Sequence, residues 1–353
     1  MIKTFSVAVL LAAAGSGVVV VPPPQSLPRV TARRLSQNPL ISLQTSPSLG
    51  DNINGPTVIL VPAWVERPLG RYYMYFGHHM GRHIRLASAD AIEGPWRIHE
   101  PGVLPVSETS LFRPQPDPVE NLENFYTHVA SPEIEIDSAR RRLVMWFHGW
   151  WTDGKRWPVG EPAAREWARE NGYSQFTQVA TSSDGLSFTA RPAITRIPYL
   201  RVFRIDGALY GMARLGRLAR AKDPLESFEL GPNPFRSGPY ANRVRHVAIL
   251  QRGRRLHVFF TAIGDAPERI LMTTIDAHGD WSTWVASPAV EVMVPEAPFE
   301  CAAMPVAPSE GGDIKGPARQ LRDPAIFEEN GRTFLFYSFC GEQGIAAAEL
   351  MFH

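Results

Sequence analysis

Glu133, in the run Ser131-Pro132-Glu133-Ile134, and Asp323, in Arg322-Asp323-Pro324-Ala325-Ile326, are the two carboxylates best placed to work as a pair. Two such groups perform acid–base chemistry when their surroundings drive their pKa values apart: a partly dry site raises one, and a neighbouring arginine lowers the other. An Asp before Pro otherwise reads as a turn or strand cap. Asp265 and Glu268, with Arg269 in GDAPERI, crowd charge directly after an apolar run. They are substitute acid–base candidates, or else members of a salt bridge within the loop. Asn54, Arg201, Arg245, His246 and Arg322 stand at or beside the starts of comparable runs, and His78, His128 and His148 lie near other run boundaries. All eight are binding candidates, because amides, imidazoles and the planar arginine fork can hold hydroxyls or a carboxylate.

Other chemistries lack their residues. The spacing of His78, His79 and His83 matches no helical zinc motif, and on a strand His78 and His79 point to opposite faces, so no transition-metal site is expected. No phosphate-cradling Gly-rich loop, nucleophile elbow or dinucleotide fingerprint occurs in the chain, and no nucleotide cofactor is expected.

The elements that must position these residues recur along the chain. A polar entry, an apolar strand, a turn, an aromatic-rich strand and usually a third strand appear as NGPTVIL/GRYYMYF/IRLASAD, ASPEIEI/RRRLVMWFHGW/TQVATSS, IPYLRVFRI/GALYGMARL, VRHVAIL/RRLHVFFTA/RILMTTID and RDPAIF/GRTFLFYS/GIAAAELMF. Short β-branched and aromatic runs between Gly, Asp and Pro turns are the all-β signature, and repetition points to an all-β, five-bladed β-propeller rather than a sandwich of the same strands. Uneven spacing implies inserted loops. The largest runs from Trp151 to Gln175, with a short helix expected from Pro162 to Asn171; Trp150, Trp151, Trp157 and Trp167 cluster there, to stack on a ligand or to pack the insertion. The fifth copy is one strand short, and Asn38–Leu43 is expected to supply it and close the ring.

In this ordered set the chain resembles the glycoside hydrolase family 43 and 32 superfamily, the five-bladed furanosidases. The likeness spans about Asn38 to Leu350 and rests on the SPEI and RDPAI entries, on GRYYMYF followed by an LASAD strand and GPW, and on DGLSF. GDAPERI and LRDPAIFEENGR look like stretches of uncharacterised bacterial relatives. The resemblance implies an axial funnel into which three carboxylates project, serving as base, pKa-tuning acid group and general acid. Glu133 matches the tuning position. Asn54 stands where the first-blade base is expected and cannot abstract a proton, and Tyr199-Leu200-Arg201 lacks a third-blade Glu. Asp51 is a substitute base in type, but a shift of three residues along a strand moves it about 10 Å. The expectation is therefore a glycosidase acting through Glu133 and Asp323, with Asp265 or Glu268 in reserve. The alternatives are a non-catalytic carbohydrate-binding propeller, and a lyase or transferase on the same scaffold. Funnel arginines would suit an acidic sugar, or would neutralise Glu133 and Asp323. No cofactor is expected, although the resemblance allows a channel ion such as calcium.

Bulk properties agree with this. A formal net charge of +1 without a long basic run gives no reason to expect a nucleic-acid partner. The 32 Pro and 28 Gly among abundant aromatics favour many short strands over a helical bundle. Lys3, the apolar run Phe5–Leu11 and Ala12–Ala14 read as an export signal over residues 1–14, and the uninterrupted stretch is shorter than the roughly 20 residues a membrane span needs. Residues 15–37 read as a linker and 38–353 as the propeller, with a periplasmic or secreted destination and no membrane association after cleavage. Cys301 and Cys340 could pair in an oxidising compartment.

Overall fold

The computed structural model describes residues 29–79, 81–111, 128–151, 166, 170 and 174–353. Five antiparallel sheets follow one another along the chain as the blades of a β-propeller. Blade 1 comprises β3 (Asn54–Leu60), β4 (Tyr72–Gly77), β5 (His83–Ala89) and β6 (Arg97–Pro105). Blade 2 comprises β7 (Ala130–Asp137), β8 (Arg142–Trp150), β9 (Gln175–Ser182) and β10 (Thr189–Thr195). Blade 3 holds β11 (Arg201–Ile205), β12 (Ala208–Ala213), β13 (Arg217–Ala221) and β14 (Glu229–Leu230). Blade 4 holds β15 (Val244–Arg252), β16 (Arg255–Ala262), β17 (Ile270–Asp276) and β18 (Val290–Met293). Blade 5 is built from β19 (Leu321–Glu329), β20 (Arg332–Phe339), β21 (Gly344–Phe352) and the N-terminal β1 (Val30–Arg34).

Ring closure therefore differs from expectation. The full-length fourth strand of blade 5 is β1, inside the segment read as linker, pairing Val30 with Phe352 through Arg34 with Ala348. Of Asn38–Leu43 a two-residue strand, β2 (Ile41–Ser42), pairs with the start of β21. Pro39 has no N–H for a ladder, whereas Val30-Thr31-Ala32 is β-compatible. Two arginines of this segment have fixed partners: Arg33 meets Glu349 at 2.7 Å, and Arg34 meets buried Glu300 at 2.8 Å.

The second strand of each blade is buried on both faces, which explains its near-continuous apolar sequence. Alternate side chains of β4 go to different cores: Tyr72, Met74 and Phe76 pack with Phe327, Phe334 and Phe336 of blade 5, while Tyr73 and Tyr75 pack with Met145 and Phe147 of blade 2. The same division puts Val144 and Trp146 against Leu209 of blade 3, Met212 against Val258 and Phe260 of blade 4, and Phe259 against Leu335 and Tyr337 of blade 5. Each seam between neighbouring blades is thus a core of its own, and period-2 alternation distributes one strand between two of them. A disulfide joins Cys301 to Cys340. The expected signal segment lies outside the described residues, as do Trp157 and Trp167; within the expected helix Glu166 and Glu170 are described, both helical. Among the described residues no helix is long and apolar enough to cross a membrane.

Candidate active site

The inner strands β3, β7, β11, β15 and β19 surround the axis, and most of them begin with the same irregularity. Opposite one residue of the second strand lie two on the inner strand: Gly55-Pro56, Ser131-Pro132, Arg245-His246 and Asp323-Pro324. Such bulges bend the strand and re-aim a side chain. Gly55, Ser131 and Asp323 have φ of 58°, 46° and 49°, and on the third blade Tyr199, two residues before Arg201, has φ 61°. Left-handed backbone at Ser, Asp and Tyr is costly and tends to accompany functional sites. The four bulges, together with left-handed Tyr199 ahead of β11, mark a ring of corresponding positions: Gly55, Ser131, Tyr199, Arg245 and Asp323.

That ring corrects the reading of the first blade. The residue in register with Asp323 is Gly55, not Asn54. A Cβ on Gly55 would lie 2.9 Å from both Cα and Oγ of Ser131, so no side chain fits there. Asn54 is one place earlier, in register with Arg322, and its Nδ2 lies 2.9 Å from both Asn52 Oδ1 and His79 Nδ1. Asp51 is 94% exposed and pairs with His78 Nε2 at 3.0 Å, at the rim. Burial and Arg85 lower His78 to about 4, keeping it neutral.

Glu133 follows the second-blade bulge. Its Oε2 accepts from Arg201 Nη1 at 2.9 Å and Thr57 Oγ1 at 3.4 Å, and its carboxylate also accepts from the Val202 N–H. Arg201 donates as well to the carbonyls of Pro132 at 2.7 Å and Val247 at 3.3 Å, tying blades 2, 3 and 4 together. Burial pushes the Glu133 carboxyl above its ordinary value, and Arg201 opposes this without cancelling it. Asp323, 1% exposed, sits 2.5 Å from His246 Nδ1. Burial would raise it, but His246, with Arg322 and His79 behind, holds it well below the usual carboxylate range. The two carboxyls are thus driven apart, the property that separates an acid from its partner.

Tyr199 packs between imidazoles, its ring centroid 4.1 Å from His148 and 4.4 Å from His246. His148 meets His128 edge-on at 6.2 Å, and burial plus the neighbouring histidines and Arg201 keep it neutral. Burial also drives the Tyr199 hydroxyl up to about 12, so it is no phenolate nucleophile near neutral pH.

The remaining candidates form a buried chain of alternating charge. Arg245 Nε meets Glu268 Oε1 at 2.9 Å, Arg322 Nε meets Glu268 Oε2 at 3.1 Å, Arg322 Nη1 meets Glu342 Oε1 at 3.0 Å, and Glu342 Oε2 meets His79 at 2.6 Å. Glu268 has no exposed surface, so it positions two arginines and cannot touch a substrate. Asp265 is 7% exposed and faces Arg243 Nη2 at 2.6 Å with Arg269 behind, so the salt-bridge reading of GDAPERI fits better than the catalytic one. Arg245 also donates to the carbonyls of Glu310 and Gly312. The arginines that suggested an acidic ligand spend their donors on protein: Arg201 on Glu133, and Arg322 on Glu268 and Glu342 rather than on adjacent Asp323.

Glu342, Asn52 and the ring role of Tyr199 are not evident from sequence. Glu342 lies just beyond the end of β20, as His78 and His79 do beyond β4, and that shared place in the repeat was the available signal. Each deep carboxylate already faces an arginine or histidine, and among the described residues no three His, Cys, Asp or Glu side chains converge on one point.

No family model matches the chain. An uncharacterized protein of Acanthamoeba polyphaga mimivirus is 34% identical over 319 residues, covering 85% of this chain and 83% of the viral protein. That relative is viral, so the expectation of a bacterial branch finds no support. Among solved structures, an α-L-arabinofuranosidase from Lactobacillus brevis superposes with TM-score 0.54 at 12% identity, covering 88% of this chain and 92% of its own. A family 43 β-xylosidase/α-arabinofuranosidase from a compost metagenome gives 0.54 at 12% identity, covering 91% and 95%. A family 43 enzyme from Xanthomonas citri in complex with xylose gives 0.52 at 13%, covering 86% and 88%. The chain belongs to the same family as the mimivirus protein and carries the five-bladed propeller fold of the glycoside hydrolase family 43 enzymes.

Proposed function

We propose that the protein is a glycoside hydrolase whose reaction takes place at the inner-strand entries around the propeller axis. The observation that carries this reading is a pair of buried entry carboxyls in unlike settings: Glu133 beside Arg201 and Thr57, where burial raises it, and Asp323 2.5 Å from His246 Nδ1, which lowers it. Glu133, the carboxyl that burial pushes up, is assigned as the proton donor to the glycosidic oxygen as that bond breaks, while the Asp323–His246 pair handles the attacking water. Thr57 and Arg201 hold Glu133, and Tyr199 presents an aromatic surface beside His246. The axial guanidinium and carboxyl groups neutralise one another, which favours a neutral glycan over an acidic one. The names of the structural neighbours suggest arabinose- or xylose-containing glycans as the first to try. We also propose that the protein is exported, with the mature N-terminus at or shortly after Ala14; mass spectrometry that finds intact Met1 on protein from the cytoplasm would oppose this.

A non-catalytic carbohydrate-binding propeller is the second reading. It is favoured by the closed first-blade position at Gly55 and by the counter-ion beside each axial carboxylate. A screen of aryl arabinofuranosides, aryl xylosides and plant, bacterial and algal polysaccharides separates the two. Release of sugar by the wild type supports hydrolysis; binding without release supports the module.

A further inference from the structure

We infer that His246 is the general base of this site, taking the water proton on Nε2, with Asp323 and Tyr199 as the residues that position its ring. The inference rests on the glycosidase reading and assigns one half of its chemistry. His246 Nδ1 lies 2.5 Å from Asp323 Oδ1, and a carboxylate at that distance favours hydrogen on Nδ1 of the neutral ring, which leaves the lone pair on Nε2. The edge-on contact with Tyr199, 4.4 Å between centroids at 77°, fixes the ring plane. Both positioning residues have left-handed backbone, φ 49° at Asp323 and 61° at Tyr199, so the strained entries of blades 5 and 3 converge on the imidazole carried by blade 4. Arg201 Nε binds the carbonyl of Val247, the residue after His246, while its Nη1 holds Glu133, so base and acid hang from one guanidinium.

Basicity points the same way. An effective base has a pKa near the working pH. Asp323 is held far below that range, whereas His246 is lowered by burial, and by Arg245, while Asp323 and Glu268 partly offset this. His148 lies across Tyr199, neutral by burial. In the step, a water O–H bond breaks and its proton goes to His246 Nε2. The water oxygen bonds to the anomeric carbon as the bond to the leaving oxygen breaks, and that oxygen takes the proton of Glu133. Transfer of the imidazolium proton to solvent and reprotonation of Glu133 restore the site.

The test uses the full chain and whichever of 4-nitrophenyl α-L-arabinofuranoside and 4-nitrophenyl β-D-xyloside the wild type cleaves faster. His246→Gln should lower kcat about 10²–10⁴-fold with KM little changed and abolish the acidic limb of the kcat/KM profile. Added imidazole should partly restore His246→Gly. Asp323→Asn should keep an acidic limb but move it to lower pH, because the anion that favours the imidazolium is gone. Histidine ¹⁵N spectra near neutral pH should show hydrogen on Nδ1 and a lone pair on Nε2, with the tautomers redistributed in Asp323→Asn. A proton on Nε2, or wild-type-like turnover in His246→Gln alongside total loss of the limb in Asp323→Asn, would overturn the assignment and make Asp323 the base. If the wild type cleaves no glycoside in the wider screen, the glycosidase reading fails and the base role with it; an active wild type with an unaffected His246→Gln defeats this inference alone.

Discussion

At the scale of single residues, Glu133 and Arg201 show how burial and charge compete. Removing the guanidinium leaves a desolvated carboxyl without its cation, so Arg201→Met should raise the Glu133 pKa further. The alkaline limb of kcat, which reports the acid in the substrate complex, should then move to higher pH. A limb that moves to lower pH would show that Arg201 does not act through Glu133. The Glu342–His79 pair makes a second residue-scale prediction, this time about stability. His79, Asn52 aside the nearest partner of Glu342, holds that carboxylate at about 2 against burial, below its ordinary 4.5. Its stabilisation is complete above about pH 4.5 and is lost as pH falls toward 2. His79 is disfavoured by burial but raised above its ordinary 6.5 by Glu342, so its share is present below 6.5 and lost as pH rises through the raised value. Glu342→Gln should therefore lower the Tm most between about pH 4.5 and 6.5 and flatten the acid decline, as read by thermal melts across pH. The place of Glu133, Arg201, His246 and Asp323 at the inner-strand entries was legible in sequence because each opens or adjoins a repeat. Glu342 was not, since its role depends on His79, 263 positions away in the chain but 2.6 Å away in space.

At the scale of elements, the bulged entry is the device that aims the site, and its Gly55 copy carries no side chain because Ser131 fills the space. Sequence alignment on the apolar run suggested Asn54; the pairing of Asn54 with Gly77 and Thr57 with Tyr75 supplies the one-residue correction. The closing strand was missed for a related reason. Arg33 and Arg34 find their partners in β21 and in the 294–301 segment, 316 and 266 positions away along the chain. Glu300 is the centre of that closure: wholly buried, it accepts from Arg34 Nε and Nη2 at 2.8 Å, Tyr337 Oη at 2.7 Å and the backbone N–H groups of Glu296 and Ala297. Glu300→Ala strands these donors and should cost about 3 kcal/mol or more in denaturant unfolding. A loss below about 1 kcal/mol would mean that β1 is held by its ladder alone.

At the scale of the molecule, five seams of apolar packing arranged around one axis made the architecture readable, because each aromatic-rich second strand repeats the same two-faced burial. The site is less readable, since its parts come from every blade and meet only when the ring closes. The central claim is that the axis performs hydrolysis with Glu133 as proton donor. Its most direct test is turnover by the wild type and by Glu133→Gln on the fastest aryl glycoside, with sugar affinity measured in parallel by calorimetry. The account predicts a fall of about 10²–10⁴-fold in kcat with affinity largely retained. Wild-type turnover in Glu133→Gln, or a wild type that binds glycans and cleaves none, would contradict it.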